Sequence, residues 1–333
     1  MVTRIDQAPE ARGSQGEQGL FEGTGRPPRG RPSPIRRGRP RGIRGLRGTV
    51  WVLPAVLLLA LFVYYPIIDN IRLSFFSWNA FTPVPEFVGL RNYQDMLDDP
   101  VFWRALRNNI AYAVISLLFQ VALALVLAAI LEEFVKPKFR AVLRSIYFIP
   151  SVVSITVAGL LFAFLYNPRF GLLNEVLGAI GLDSMQRSWL GEQATAIWSI
   201  IAMSQWQNLG YTTVLFVVAI QRIPRELYEA AKVDGAGAVR SFFAVTVPMV
   251  REMTTLLIIL TVSGAFLLFN EVMVMTAGGP ADSSQVLGTW MYRNAFLADN
   301  MGYAAAIATV IFVITLAFAI VQLGVGRRKR VEL

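Results

Sequence analysis

Six long stretches of this sequence contain no Asp, Glu, Lys or Arg: 50–68, 110–131, 145–167, 194–221, 253–270 and 301–326. Crossing the hydrocarbon of a bilayer, ~30 Å, takes about 20 apolar residues in a helix. Runs of this length are too long for strands and too uniformly apolar for helices with one wet face. Backbone polar groups in lipid must find partners within their own segment. The expected fold is therefore all-α, a polytopic membrane protein with six transmembrane helices. The composition agrees, with 55% hydrophobic and 16% charged residues against about 25% charged in ordinary soluble domains.

The formal charge of +9 is unevenly distributed. Lysines and arginines number 11 before the first stretch, 4 in 132–144, 5 in 222–252 and 4 in 327–330. The alternate connections hold 3 (79–108), 2 (168–193) and 1 (271–300). Because positive residues are retained on the cytoplasmic side, both termini are expected there. Segment 1–48 reads as a disordered Arg/Pro/Gly-rich cytoplasmic tail, lying against anionic membrane lipid rather than nucleic acid. The transmembrane domain covers 49–326, and 327–333 forms a basic cytoplasmic end. Within 92–109, Asp98-Asp99-Pro100 is a helix-start signal, suggesting a short helix at the interface before the second span. With no cysteine and no histidine, disulfides, Cys/His metal sites and thiol or imidazole catalysis are excluded.

The cytoplasmic loop 222–252 carries the densest pattern. Pro224 suits a first helical position, and Glu226 and Glu229 complement the positive end of the helix dipole. Gly235 is placed to end that helix. A second short helix is expected from about 238 to 245, ending at Pro248. A helix–glycine–helix knob of this size is too small for a domain but suited to a cleft on another protein.

Glu229-Ala230-Ala231, three residues, Gly235, nine residues, Val245, one residue, Val247-Pro248 resembles the EAA loop of ABC importer permeases. Val245 and Val247 stand where that family has Ile and Leu, keeping the apolar character. The resemblance implies that this loop is the coupling helix seated in an ATPase subunit. Glu229, Ala230, Ala231, Asp234, Gly235, Ala236, Phe242 and Pro248 are the residues assigned to it. Further segments resemble the sugar-importing, maltose-permease F-like branch: Tyr65-Pro66, Ser74-Phe75, 87–93 (FVGLRNY), 102–108 (FWRALRN), 171–174 (GLLN) and 276–280 (TAGGP). That branch implies a homologous second permease, a cytoplasmic ABC ATPase dimer and an extracytoplasmic sugar-binding protein, in a bacterial cell membrane. The chain has no Gly-x-x-x-x-Gly-Lys-[Ser/Thr], so no ATP or magnesium site is expected in it and it is not expected to be an enzyme.

Asn208 lies near the middle of the fourth stretch, hence near the bilayer midplane, where transporter sites gather. Ser204, Asn208 and Tyr211 share a helical face by spacing, with Gln207 beneath Tyr211. Amides beside an aromatic ring suit a polyhydroxyl ligand, and the resemblance places sugar contacts on positions matching Gln207, Asn208 and Tyr211. The same residues could instead bond between helices; sequence leaves both open. Asn270 and Glu271 read as a solvated pair near the outer surface, or as a gate or binding-protein contact. No span carries Lys or Arg, which leans towards a neutral sugar over a solute such as glycerol 3-phosphate. An ion-coupled secondary transporter would need ionisable residues in the bundle, and the spans lack them.

Overall fold

All six apolar stretches are helical over most of their length in the computed structural model, which describes residues 44–79, 81 and 84–327. The tail expected over 1–48 and the basic end over 327–333 fall outside the described residues, apart from 44–48 and Arg327, which are helical. By internal packing the chain divides into Met1–Ala55 and Val56–Leu333. The first unit contributes, among described residues, a helix beginning at Arg44.

In chain order the elements are α1 (Trp51–Leu73), β1 (Phe76–Ser77), β2 (Glu86–Phe87), α2 (Arg91–Asp98) and α3 (Pro100–Glu133). There follow α4 (Pro137–Val152), α5 (Ile155–Leu165), α6 (Leu172–Ala179) and α7 (Ala196–Ile220). Next come α8 (Arg225–Val233), α9 (Ala238–Met249), α10 (Arg251–Phe266) and α11 (Asn270–Met275). The described chain ends with α12 (Leu287–Tyr292) and α13 (Met301–Arg327).

Four details differ from the sequence expectation. The fold is not wholly helical: β1 and β2 form a two-stranded antiparallel pair with Phe76 opposite Phe87, held by an edge-to-face contact of the two rings at 5.3 Å. The helix start at Asp98-Asp99-Pro100 opens the second span itself rather than a separate short helix; a distinct short helix, α2, ends just before it at Asp98. Asp99 caps α3, its Oδ1 accepting from Val101 N at 2.8 Å, and the helix runs on for 34 residues. The third and fifth spans are broken: α4 and α5 meet at 94°, and α9 and α10 at 71°. Finally, Pro248 does not end the second knob helix, which continues to Met249. A π turn, Phe242–Thr246, immediately precedes it, as another, Ala60–Tyr64, precedes Pro66. A proline cannot donate to the carbonyl four residues back and crowds it; the wider turn makes room.

Among described residues, three helices are long and apolar enough to cross a membrane, or five if each bent pair counts as one span. The 25-residue α7 is about 37 Å long but carries Ser204, Gln205, Gln207 and Asn208 in its middle. Packing is inverted relative to a water-soluble domain. Apolar side chains such as Leu57, Phe62, Leu118, Leu161 and Phe164 face outwards, whereas Asn109, Ser116 and Ser204 are wholly buried. The chain is a multi-pass helical membrane protein. Its interior has three apolar clusters, one at the foot of the knob joining Phe216, Ile220, Ile223 and Val250 to Leu131 and Leu257.

Candidate functional site

The knob over 222–252 is built as two helices around a glycine turn. Glu226 lies in the first turn of α8 and Lys232 in its last, each complementing the dipole. Past Val233 the backbone closes with Gly235 N–H to Lys232 O at 3.0 Å and Ala236 N–H to Ala231 O at 2.8 Å. This pair of hydrogen bonds needs a left-handed residue, and Gly235 supplies it at φ +77°. Tyr228 Oη and Thr246 Oγ1, 2.9 Å apart, brace α8 against α9. Glu229, Ala230, Asp234, Gly235 and Pro248 are exposed, and Ala231 and Ala236 half-buried. Phe242 packs inward, against the cluster beneath the knob. Apolar side chains stand out from the tip: Val233 is 88%, Val239 72% and Phe243 66% exposed.

The second region surrounds the middle of α7. Ser204 is fully buried and shares a short hydrogen bond with Tyr112 of α3. Asn208, half-buried, donates from Nδ2 to Ser204 O at 3.0 Å. Tyr211, one turn further on, is 45% exposed. Gln207 lies one turn before Tyr211 on α7. It is buried towards the α4–α5 break, where its Nε2 donates to Val153 O at 2.8 Å while Ser151 Oγ donates to Gln207 O at 2.7 Å. Its Oε1 is buried without a hydrogen-bond partner. Asn270 is exposed and starts α11, beyond the break that ends α10.

Sequence reading missed several residues that join the helices. Gln120 Nε2 donates to Gln205 Oε1 at 2.9 Å, and Gln205 Nε2 to Ser116 Oγ at 3.1 Å, beside the π turn Leu117–Leu123. The signal was present: polar residues four apart in an apolar stretch have to meet a partner. On the neighbouring face, a groove of about 360 Å³ between α3 and α7 is lined by residues including Phe119, Trp198, Gln205 and Trp206. The segments of the importer resemblance prove to be joints. Asn92 Nδ2 donates to Ser74 O and Phe76 O at 2.9 and 3.0 Å, and Asn174 Oδ1 accepts from Trp189 Nε1 at 2.8 Å. Asn108 Nδ2 donates to Ser283 O and Gln285 O, each at 2.8 Å.

Comparison with known proteins agrees with this architecture. Residues 120–331 match the model of the family described as binding-protein-dependent transport system inner membrane component. The chain is 50% identical over 274 residues to a probable ABC transporter permease protein, YurN, of Bacillus subtilis, covering 82% of this chain and 94% of that protein. It is 35% identical to the diacetylchitobiose uptake permease NgcF of Streptomyces coelicolor (89% and 88% covered). With the trehalose/maltose permease MalF of Thermococcus litoralis the identity is 31% (85% and 94%). Among solved structures, a chain of a bacterial ABC transporter involved in alginate import superposes with a TM-score of 0.74 at 22% identity, covering 86% of this chain and 96% of that one. The family model and these relatives show that this chain belongs to the binding-protein-dependent transport system inner membrane components, the permeases of ABC importers.

Proposed function

We propose that this chain is one permease half of an ATP-driven importer for a neutral sugar or oligosaccharide in a bacterial cell membrane. It crosses the membrane six times, with both termini in the cytoplasm. It pairs with a homologous second permease, two copies of a cytoplasmic ATPase and an extracytoplasmic sugar-binding protein. Support for a sugar comes from relatives whose names specify trehalose, maltose and diacetylchitobiose. ATP and its magnesium bind the ATPase subunits, and this chain does no covalent chemistry.

The observation that carries the reading is the knob. Its backbone is locked by the Gly235 turn and the Tyr228–Thr246 brace, yet its tip presents Val233, Val239 and Phe243 outward beside Glu229. A rigid helix pair with an apolar tip and flanking charges of both signs fits a groove on a partner protein. Closure of the ATPases on ATP moves this knob as a rigid body and switches the cavity between its two openings. Asn208, Tyr211, Ser204 and Asn270 are proposed to line the solute path. Gln207 stands behind them, holding the helix break.

Glu229→Lys and Gly235→Pro test this reading in the complete transporter. Each is expected to abolish uptake of labelled sugar and co-purification of the ATPase, while the subunit stays in the membrane at normal level. Normal uptake by both variants would remove the coupling role.

A further inference from the structure

A polar junction lies at the base of the knob, apart from its docking tip and from the middle of α7. Glu132 is in the last turn of α3, and its side chain is 13% exposed. Its carboxylate accepts from Arg140 Nη1 at 3.1 Å, from Arg144 Nη2, and from Gln221 Nε2 at 3.4 Å. Arg140 and Arg144 are one turn apart on α4. Gln221 is the residue that caps α7, just before the knob begins. Arg140 adds bonds from Nε to Val135 O at 2.8 Å and from Nη2 to Glu132 O. A single carboxylate thus ties together the feet of α3, α4 and α7.

The other end of α4 is held as firmly. Its final turn is fixed by Ser151 and Val153 to Gln207. Midway, the Tyr147 carbonyl rests so close to Gly210 that a Cβ there would overlap it. α4 is therefore a strut pinned at the knob base by Glu132 and at the mid-helix region by Gln207. A charge group this sheltered cannot lose one partner without leaving the others uncompensated. Arg144 Nε is buried with no acceptor, and Glu132 is the carboxylate with which Arg144 pairs.

We infer that Glu132 is a positioning residue for transport: it fastens the knob base to α4, so that displacement of the knob is carried along the strut to the Gln207 end. This rests on the coupling reading above and adds the route by which the stroke leaves the knob.

The test is the complete transporter in liposomes, with ATP hydrolysis and uptake of a labelled disaccharide from the set maltose, trehalose and diacetylchitobiose measured on the same sample. Glu132→Gln keeps the shape and removes the charge. It is expected to leave the ATPase bound and hydrolysing while solute moved per ATP falls about tenfold, the order of a coupling free energy between sites. Glu132→Asp should give an intermediate ratio and stands in if Glu132→Gln fails to reach the membrane. Glu132→Arg combined with Arg144→Glu should recover part of the ratio. An unchanged ratio in Glu132→Gln, or a proportional loss of hydrolysis and uptake, overturns the inference and leaves a simple staple. The coupling reading fails separately: Glu229→Lys would then still transport, whereas loss in Glu229→Lys with an intact ratio in Glu132→Gln removes only the role of Glu132.

Discussion

At the scale of single residues, buried amides and carboxylates do the joining that apolar contact cannot do between lipid-facing helices. Asn109 of α3 is fully buried; its Nδ2 donates to Ala265 O at 2.6 Å, and its Oδ1 accepts from Leu287 N at 2.8 Å. It thereby satisfies the end of α10 and the start of α12 at once. Asp99 likewise uses one oxygen to cap α3 and the other to accept from Trp290 Nε1 and Tyr303 Oη, each at 2.7 Å. Asn109→Leu keeps the volume but strands a carbonyl and an N–H. The purified protein should lose about 1–3 kcal/mol of stability. Its apparent Tm in detergent should drop by about 3–10 °C, read by fluorescence-detected chromatography after heating. An unchanged Tm would mean that water replaces the side chain. Asp99-Pro100 was readable as a helix start because a cap acts within two residues. The cross-chain bonds of Asn109 and Asp99 were not, because their partners lie more than 150 residues away in sequence.

At the scale of elements, position in the chain was legible and shape was not. Apolar length located the helices, but it cannot distinguish a straight span from α4–α5, which turns through 94°. Pro150 was visible, yet proline in membrane helices is compatible with a slight kink. A full break survives here because α7 offers Gln207 to the Val153 carbonyl, the bonding between helices that the sequence left open beside a sugar contact. The two roles separate experimentally. If Gln207 holds the break, Gln207→Leu should lower maximal uptake rate and stability equally for every sugar tested, with little change in KM. If it contacts sugar, KM should rise by an amount that differs between sugars. Measuring uptake of two disaccharides over a concentration range decides between them. The knob was legible almost throughout, since its signals are local: Gly235 ends α8 where the spacing placed it. Only the passage through Pro248 was misjudged, because a π turn has no sequence signature of its own.

At the scale of the whole molecule, the question is whether all six apolar segments can thread a bilayer when three described helices qualify unaided and two more only as bent pairs. The doubtful one is α7, whose polar middle lowers its apolarity. Yet Ser204, Gln205 and Gln207 are buried against Tyr112, Ser116 and Val153 rather than facing outwards. Lipid therefore meets the apolar faces, and α7 can span while reading as too polar. If α7 and the bent pair α4–α5 both cross, the connection carrying Asp183 and the one carrying Lys138 lie on opposite sides, and 222–252 joins the Lys138 side, in accord with the distribution of positive charge. The protein has no cysteine, so single cysteines can be placed without background. Asp183→Cys is expected to react with a membrane-impermeant maleimide in intact cells. Lys138→Cys and Arg240→Cys, both at exposed positions, should react only after the membrane is opened. Labelling of Arg240→Cys from outside would place the knob on the wrong face for an ATPase and reverse the topology. Labelling of Asp183→Cys only from inside would mean that the bent pair α4–α5 enters and leaves by the same side, which would make α7 the next segment to cross outwards and strand the knob beyond reach of ATP.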